Sequence, residues 1–286
     1  MSVAGRCALS ILRGYSRIAP TQRGTYRMVR AARALLPRAQ WCGTFTTPAG
    51  LRMRLDLGTY PDCCMAVGLY ELDTYRTLRR LLRPGSWFVD AGANIGYFTL
   101  LAAKIIGPAG RIDAYEPDPV NRARLEEHLA LNDLAGRVRV HGVALSDRDG
   151  QVELYHPDDA NHGIASIYAS LVPTGTKYTV PTVRMDKHLD GVPDVIKMDI
   201  EGAEYIALGG MESLLRSARP PAILMEHNPE SCAAAGHTPA DIFSRLVEFQ
   251  PAYQVHWVGW RLVHIRTAAE LAAFTRQGNL LIRAEP

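Results

Sequence analysis

A chain of 286 residues can bury one large α/β core and carry a small accessory segment. With 47% hydrophobic and 21% charged residues it is neither disordered nor fibrous over most of its length, and no apolar run reaches the length that spans a bilayer. The net charge of +3 hides an asymmetry, because no acidic residue precedes Asp56 while ten arginines do.

Residues 1–43 therefore read as a basic arm, with Arg6, Arg13, Arg17, Arg23, Arg27, Arg30, Arg33 and Arg38. Three readings compete: a targeting peptide, a basic amphipathic helix on anionic lipid, or a helical arm packed on the domain or on a second subunit of a homo-oligomer. The charge is spread thinly with few aromatics, which does not favour nucleic acid as a partner. Arg6, Arg13 and Arg17 interrupt any secretory apolar region. The five cysteines (Cys7, Cys42, Cys63, Cys64 and Cys232) are odd in number and lack a C-x-x-C pair, so neither a zinc site nor a disulfide framework is indicated. A reducing, cytoplasmic location fits, with the arm as a route to peripheral membrane contact.

Residues 44–84 form an N-terminal hairpin and helix. The hairpin covers 44–57 and turns at Pro48-Ala49-Gly50. Leu72, Tyr75, Leu78, Leu81 and Leu82 recur at helical spacing from Glu71 to Leu82, and Pro84-Gly85 stops that helix. Residues 85–286 then alternate strand and helix. Strands are expected at Ser86–Val89, Arg111–Tyr115, Arg137–Val143, Val195–Met198, Ala222–Met225, Tyr253–Val258 and Leu280–Arg283. Helices are expected at Tyr97–Ile106, Pro119–Leu131 with Asp118 as N-cap, Ala203–Leu215, and Thr238–Phe249 with Pro239 at its first position. This rhythm predicts an α/β fold with a mostly parallel sheet covered by helices on both faces. It breaks at about 147–193, where Gln151–Tyr155 and Lys177–Val183 read as strands of an insertion over the sheet's ligand-binding edge.

The chemistry-bearing residues follow the strand ends. Phe88-Val89-Asp90-Ala91-Gly92-Ala93-Asn94-Ile95-Gly96 carries the first strand into the first helix. Gly92 permits a tight turn, and Gly96 permits close approach of a ligand or a helix. Asp90 suits a cationic amino group or sulfonium better than a pyrophosphate. The dinucleotide pattern G-x-G-x-x-G is missing, since Asn94 stands at its second glycine. Glu116 ends the second strand at the spacing of a ribose-holding carboxylate; a surface charge is the alternative. Asp147, after the third strand, is placed along an adenine, or is simply a turn residue. Lys197, Asp199 and Glu201 share one side of the fourth strand if it persists, and are costly to bury unless paired or functional. Glu204 suits a helix N-terminus. His227, at the end of the fifth strand, is a candidate general base or a structural histidine.

Taken together, the run Val89–Leu100, the run Lys197–Glu204 and Glu226-His227 resemble the FkbM-type methyltransferases. Tyr70-Glu71, Asn161-x-Gly163-x-x-Ser166 and Asn279-Leu280-Leu281 extend the likeness over roughly residues 44–286. The resemblance implies a Rossmann-like class I methyltransferase fold with a seven-stranded sheet, binding S-adenosylmethionine at the ends of the first two strands. By position, Glu71, Asp90, Gly92, Asn94, Gly96, Glu116, Asp147 and Asp199 would hold the cofactor. Lys197, Asp199, Glu201 and His227 would face the acceptor, a hydroxyl on a small molecule, sugar, polyketide or glycolipid. Met185-Asp186-Lys187-His188-Leu189 departs from the family's usual threonine-leucine-aspartate run.

The implied reaction is in-line O-methylation, with no dedicated metal site. A variant would place Mg²⁺ or Mn²⁺ on Asp199, Glu201, Glu226 and His227. Other classes compete. A nicotinamide oxidoreductase is disfavoured by the missing glycine pattern. A nucleic-acid methyltransferase is disfavoured because Asp199-Ile200-Glu201-Gly202 offers no aromatic platform for a flipped base. A non-catalytic, membrane-associated protein would rely on the arm alone.

Overall fold

The computed structural model describes residues 3–18, 25–35, 37–158 and 165–284. Arg23, Asn161 and Gly163 lie outside them, as do the side chains of Arg6 and Arg17. The chain opens with α1 (Val3–Ile18) and α2 (Thr25–Arg33), then the hairpin β1 (Cys42–Thr46) and β2 (Arg52–Asp56). Next come α3 (Asp62–Val67), α4 (Leu72–Leu81), β3 (Trp87–Ala91), α5 (Tyr97–Ile106), β4 (Arg111–Tyr115), α6 (Pro119–Leu131) and β5 (Val138–His141). The strands β6 (Ala144–Leu145), β7 (Gly150–Pro157) and β8 (Gly175–Val183) build a separate small sheet. The chain continues through α7 (Met185–His188), β9 (Val195–Met198), α8 (Glu204–Gly209), α9 (Glu212–Leu215), β10 (Ala222–His227), α10 (Pro229–Ala234) and α11 (Pro239–Phe249). It closes with β11 (Tyr253–Val258), β12 (Val263–Ile265), α12 (Ala268–Ala272) and β13 (Gly278–Ala284).

Among the described residues the main sheet has eight strands, in the order β12-β11-β13-β10-β9-β3-β4-β5. The five from β10 to β5 are parallel; β13, β11 and β12 join antiparallel. This Rossmann-like arrangement corrects the expected seven strands. The eighth, β12, is three residues long, and Val263 on it is half exposed, so it leaves no periodic apolar signal. The chain order reverses at β3, which lies between β4 and β9. Such a switch point opens a crevice at the carboxyl ends of the strands.

Alternation along the parallel strands divides the core in two. Phe88 and Ile112 pack into one apolar cluster, while Val89, Ala91 and Ile196 pack into the other. Leu9, Leu12, Val29 and Ala32 of the arm belong to the first cluster, so α1 and α2 share their core with the sheet. Arg33 fastens α2 further, donating to the carbonyls of Leu57 and Gly58. Two helix starts follow their sequence signals: Asp118 Oδ1 accepts from Val120 N and Asn121 N, and Thr238 forms a capping box with Asp241. The expected helix over 203–215 is broken into α8 and α9. Gly210 lies between them, where a Cβ would sit 1.9 Å from the Ser146 carbonyl oxygen.

Candidate functional site

The carboxyl ends of β3, β4, β9 and β10 surround a cavity of about 460 Å³. Its floor is the turn after β3. Gly92 has φ of +77°, and a Cβ there would lie 1.8 Å from the Asp199 carbonyl oxygen, so the turn can rest against β9 only without a side chain. Gly92 N and Ala93 N both donate to the Tyr115 carbonyl, which ties the turn to β4.

Glu116 stands at the tip of β4, buried. Its Oε2 accepts from Asn94 N at 2.6 Å and its Oε1 from Asp118 N at 2.9 Å. A carboxylate oxygen has two acceptor sites, so both oxygens keep one for a ligand hydroxyl. Burial pushes Glu116 up to about 8, against the opposing pull of those two backbone donors.

Lys197, Asp199 and Glu201 follow β9 into the cavity, although the strand itself ends at Met198. Lys197 Nζ lies 3.2 Å from Asp199 Oδ2 and 3.9 Å from Asp90 Oδ1. Burial opposes its charge, but Asp199, Asp90 and Glu71 outweigh it and hold the lysine above its ordinary value. Burial, reinforced by Asp199, raises Glu201 to about 9. Burial and Asp199 also raise Glu71, whose Oε2 accepts from Thr74 Oγ1 at 2.8 Å. Glu226 on β10 is held by Gln277 Nε2 at 2.5 Å on one oxygen; the other has no partner among the described residues. Burial lifts it well above the usual carboxylate range.

Of the four described non-glycine residues with left-handed φ, Glu71 (39°), Asn94 (50°) and Glu201 (50°) line this cavity. Strained backbone of this kind concentrates at ligand sites. A wall of rings completes one end: Tyr60, Tyr70, Tyr97 and Phe98 meet mostly edge to face, at centroid spacings of 5.3–6.2 Å.

The structure brings Glu71, Gly92, Asn94, Glu116, Lys197, Asp199 and Glu201 together around the cavity and leaves four expected residues off its wall. Asp90 is fully buried behind the turn, where Oδ2 accepts from Thr99 Oγ1 at 2.6 Å. Gly96 faces Leu125 of α6, 2.4 Å from where a Cβ would be, so the close approach there is by a helix. Asp147 has turned away toward solvent beside Arg148, because the chain is already entering the small sheet; Val143, Ala144 and Leu145 line the wall instead. His227 points to the opposite face of β10 from Glu226, as alternation requires. Its Nε2 lies 2.8 Å from the Phe274 carbonyl, and burial lowers its pKa.

Glu204 is structural: its oxygens accept from Ile200 N and Gly202 N, both at 3.0 Å. Asp186 pairs with Arg184 at 2.7 Å, outside the cavity. Asp199, Glu201 and Glu226 offer carboxylate oxygens within 4.8 Å of one another, a grouping that could hold a cation but that excludes His227. No site role was read from the sequence for the ring wall, Gln277 or Asn279, although Tyr70, Tyr97, Phe98 and Asn279 fall in the runs that carry the family resemblance. The pairing of Asn279 with Glu226 across β13 and β10 would have located Gln277 and Asn279, had that adjacency been readable.

The profile of the FkbM methyltransferase domain family matches residues 90–250. The chain is 30% identical over 152 residues to "Methyltransferase 1" of Beauveria bassiana, covering 44% of this chain and 59% of that protein. It is 30% identical over 162 residues to the 31-O-demethyl-FK506 methyltransferase FkbM of Streptomyces tacrolimicus, covering 46% and 61%. The chain thus spans about six-tenths of the length of the curated relatives it matches. A crystal structure of an FkbM methyltransferase from Methylobacillus flagellatus is 18% identical, with a TM-score of 0.45, over 78% of this chain and 66% of that one.

Proposed function

Because the chain belongs to the FkbM methyltransferase family, we propose that it is an enzyme that transfers the methyl group of S-adenosylmethionine to a hydroxyl oxygen. One observation carries this reading. The cavity presents six carboxyl groups (Glu71, Glu116, Asp199, Glu201, Glu226 and Glu230), with Lys197 as the only cationic side chain among the described residues lining it. Ionised, as a cationic ligand would favour, these acceptors suit a ligand bearing an ammonium and a sulfonium and repel the pyrophosphate of a dinucleotide, which disfavours nicotinamide chemistry.

S-adenosylmethionine supplies an already activated methyl group, so the protein mainly aligns and desolvates the reactants. Glu116 offers two acceptors to the ribose hydroxyls at the tip of β4. Asp199, fixed by Lys197, stands where the amino-acid and sulfonium portions would lie. Asp90 acts from behind, holding Thr99 at the start of α5 and balancing Lys197. Glu226, which lines the cavity and has one unpartnered oxygen, takes in its ionised form the proton that the hydroxyl loses as it attacks. A Mg²⁺ or Mn²⁺ on Asp199, Glu201 and Glu226 is the second reading, favoured by their clustering. It must compete with Lys197 at Asp199 and with Gln277 at Glu226.

Incubation with methyl-labelled S-adenosylmethionine and a panel of hydroxylated acceptors tests the proposal. Label is expected in a base-stable methyl ether. Label found only in esters or amines would overturn the O-methyl assignment.

A further inference from the structure

The basic arm packs its inner face into the core, but its outer face belongs to neither the core nor the cavity. On α1, Leu9, Leu12 and Ser16 face inward, leaving Ile11 70% exposed. On α2, Val29 and Ala32 face inward, while Tyr26, Arg27, Met28 and Arg30 stay at the surface. Just beyond, Leu35 is 54% exposed and Arg38 is exposed. Arg33 is committed to the Leu57 and Gly58 carbonyls, but Arg27 and Arg30 have no carboxylate partner among the described residues. The outer surface of the arm thus interleaves arginines with large apolar side chains, in a stretch that holds no acidic residue before Asp56.

This surface adjoins the cavity. Tyr26 of α2 meets Tyr60 edge to face at 5.6 Å, and Tyr60 both lines the cavity and remains half exposed. Tyr60 continues through Tyr70 to Tyr97 and Phe98, the ring wall of the cavity.

We infer that the arm is a docking surface for an anionic lipid membrane, set beside the rim of the cavity so that an amphiphilic acceptor passes from the lipid along the ring wall. The second half of this inference rests on the methyltransferase reading; the docking surface does not. Arginine stems and exposed Ile11, Met28 and Leu35 gain by entering the boundary between headgroups and acyl chains, while the guanidiniums pair with phosphates. A nucleic acid would satisfy the arginines but leave the aliphatic side chains in water.

Co-sedimentation of the full chain with vesicles tests the inference. Binding is expected to vesicles that mix phosphatidylglycerol into phosphatidylcholine, and to weaken as salt rises. Phosphatidylcholine alone should retain little. Arg27→Glu with Arg30→Glu should weaken binding by roughly tenfold or more, and Ile11→Ser with Met28→Ser should weaken it at unchanged net charge. If charge reversal lowers the melting temperature, Arg27→Gln with Arg30→Gln keeps the comparison open. Titration of each variant with S-adenosylmethionine separates the two claims. Vesicle binding without cofactor binding overturns the methyltransferase reading alone. Cofactor binding without vesicle binding overturns the docking surface. Retention of single-stranded polynucleotide as tightly as vesicles, unaffected by the two serine substitutions, overturns the lipid assignment in favour of a general polyanion site.

Discussion

The imidazole Nε2 of His227 lies 2.8 Å from the carbonyl oxygen of Phe274, on the face of β10 opposite the cavity. The ring also meets Trp257 edge to face at 5.4 Å. His227 therefore fastens β10 to the segment before β13, while its neighbour Glu226 lines the cavity and is the base in the proposed function. His227→Ala should cost about 2–4 kcal/mol of stability through the lost packing and hydrogen bond, with turnover per folded molecule little changed. Glu226→Gln should instead lower kcat by about 10²–10⁴-fold at unchanged affinity for S-adenosylmethionine. Thermal melting and single-turnover rates on the two variants decide between these roles. The reverse pattern would return the base to His227.

Gly92 and Gly136 both have left-handed φ, at +77° and +80°, but only Gly92 faces a backbone oxygen. Gly136→Ala meets open space and should cost only the conformational penalty, about 1–2 kcal/mol. Gly92→Ala must also push β9 away from the turn, so its loss should be clearly larger, and cofactor affinity should fall with it. Denaturant unfolding of the two variants, read as midpoint shifts at constant slope, checks the ordering.

In the unliganded protein Glu204 is raised to about 7, Glu116 to about 8 and Glu201 to about 9. Their folded pKa values lie above the unfolded ones, so the folded state binds more protons over the intervening range. Stability from this source is fully present below the unfolded carboxyl pKa and is lost as pH rises through about 7 to 9. The melting temperature of the unliganded protein should therefore fall between pH 6 and pH 9. A cationic ligand favours the ionised carboxylates, so binding should release protons and tighten with pH over the same window. Calorimetry in buffers of different ionisation enthalpy measures the protons, and net uptake would count against the scheme.

Activity should survive EDTA. Lys197 already lies on Asp199 at 3.2 Å and Gln277 on Glu226 at 2.5 Å, so two of the three clustered carboxyl groups have partners before any cation arrives. Loss of turnover in EDTA, restored by Mg²⁺ or Mn²⁺, would instead assign the cluster to a metal.

The helices α5 and α6 were legible to the residue because their starts and stops are local: Asp118 before Pro119, and Gly107-Pro108 after Ile106. The position of Glu116 was legible because strand length and turn chemistry fix its distance from Gly92. The direction of a side chain at a strand end was not, and this separates Glu226 from His227: one residue decides the face, and the expected boundary at Met225 fell two residues short of the observed end. Asp147 failed for a related reason, since the chain leaves the main sheet before reaching it. The roles of Gly92 and Gly96 depend on Asp199 and Leu125, partners that only the tertiary fold supplies. The ring wall joins residues from three separate segments, none of which is unusual alone.

The proposed function stands or falls with the binding of a sulfonium nucleoside in this carboxyl-rich crevice at the strand tips. Calorimetric titration of the folded chain with S-adenosylmethionine, S-adenosylhomocysteine and NAD tests it directly, alongside Glu116→Ala. Saturable binding of the first two is expected, with none of NAD, and an affinity at least tenfold weaker in the variant, the scale expected when charge-assisted hydrogen bonds are lost. Saturable binding of NAD, or no heat with either sulfur nucleoside on protein that melts cooperatively, would contradict it.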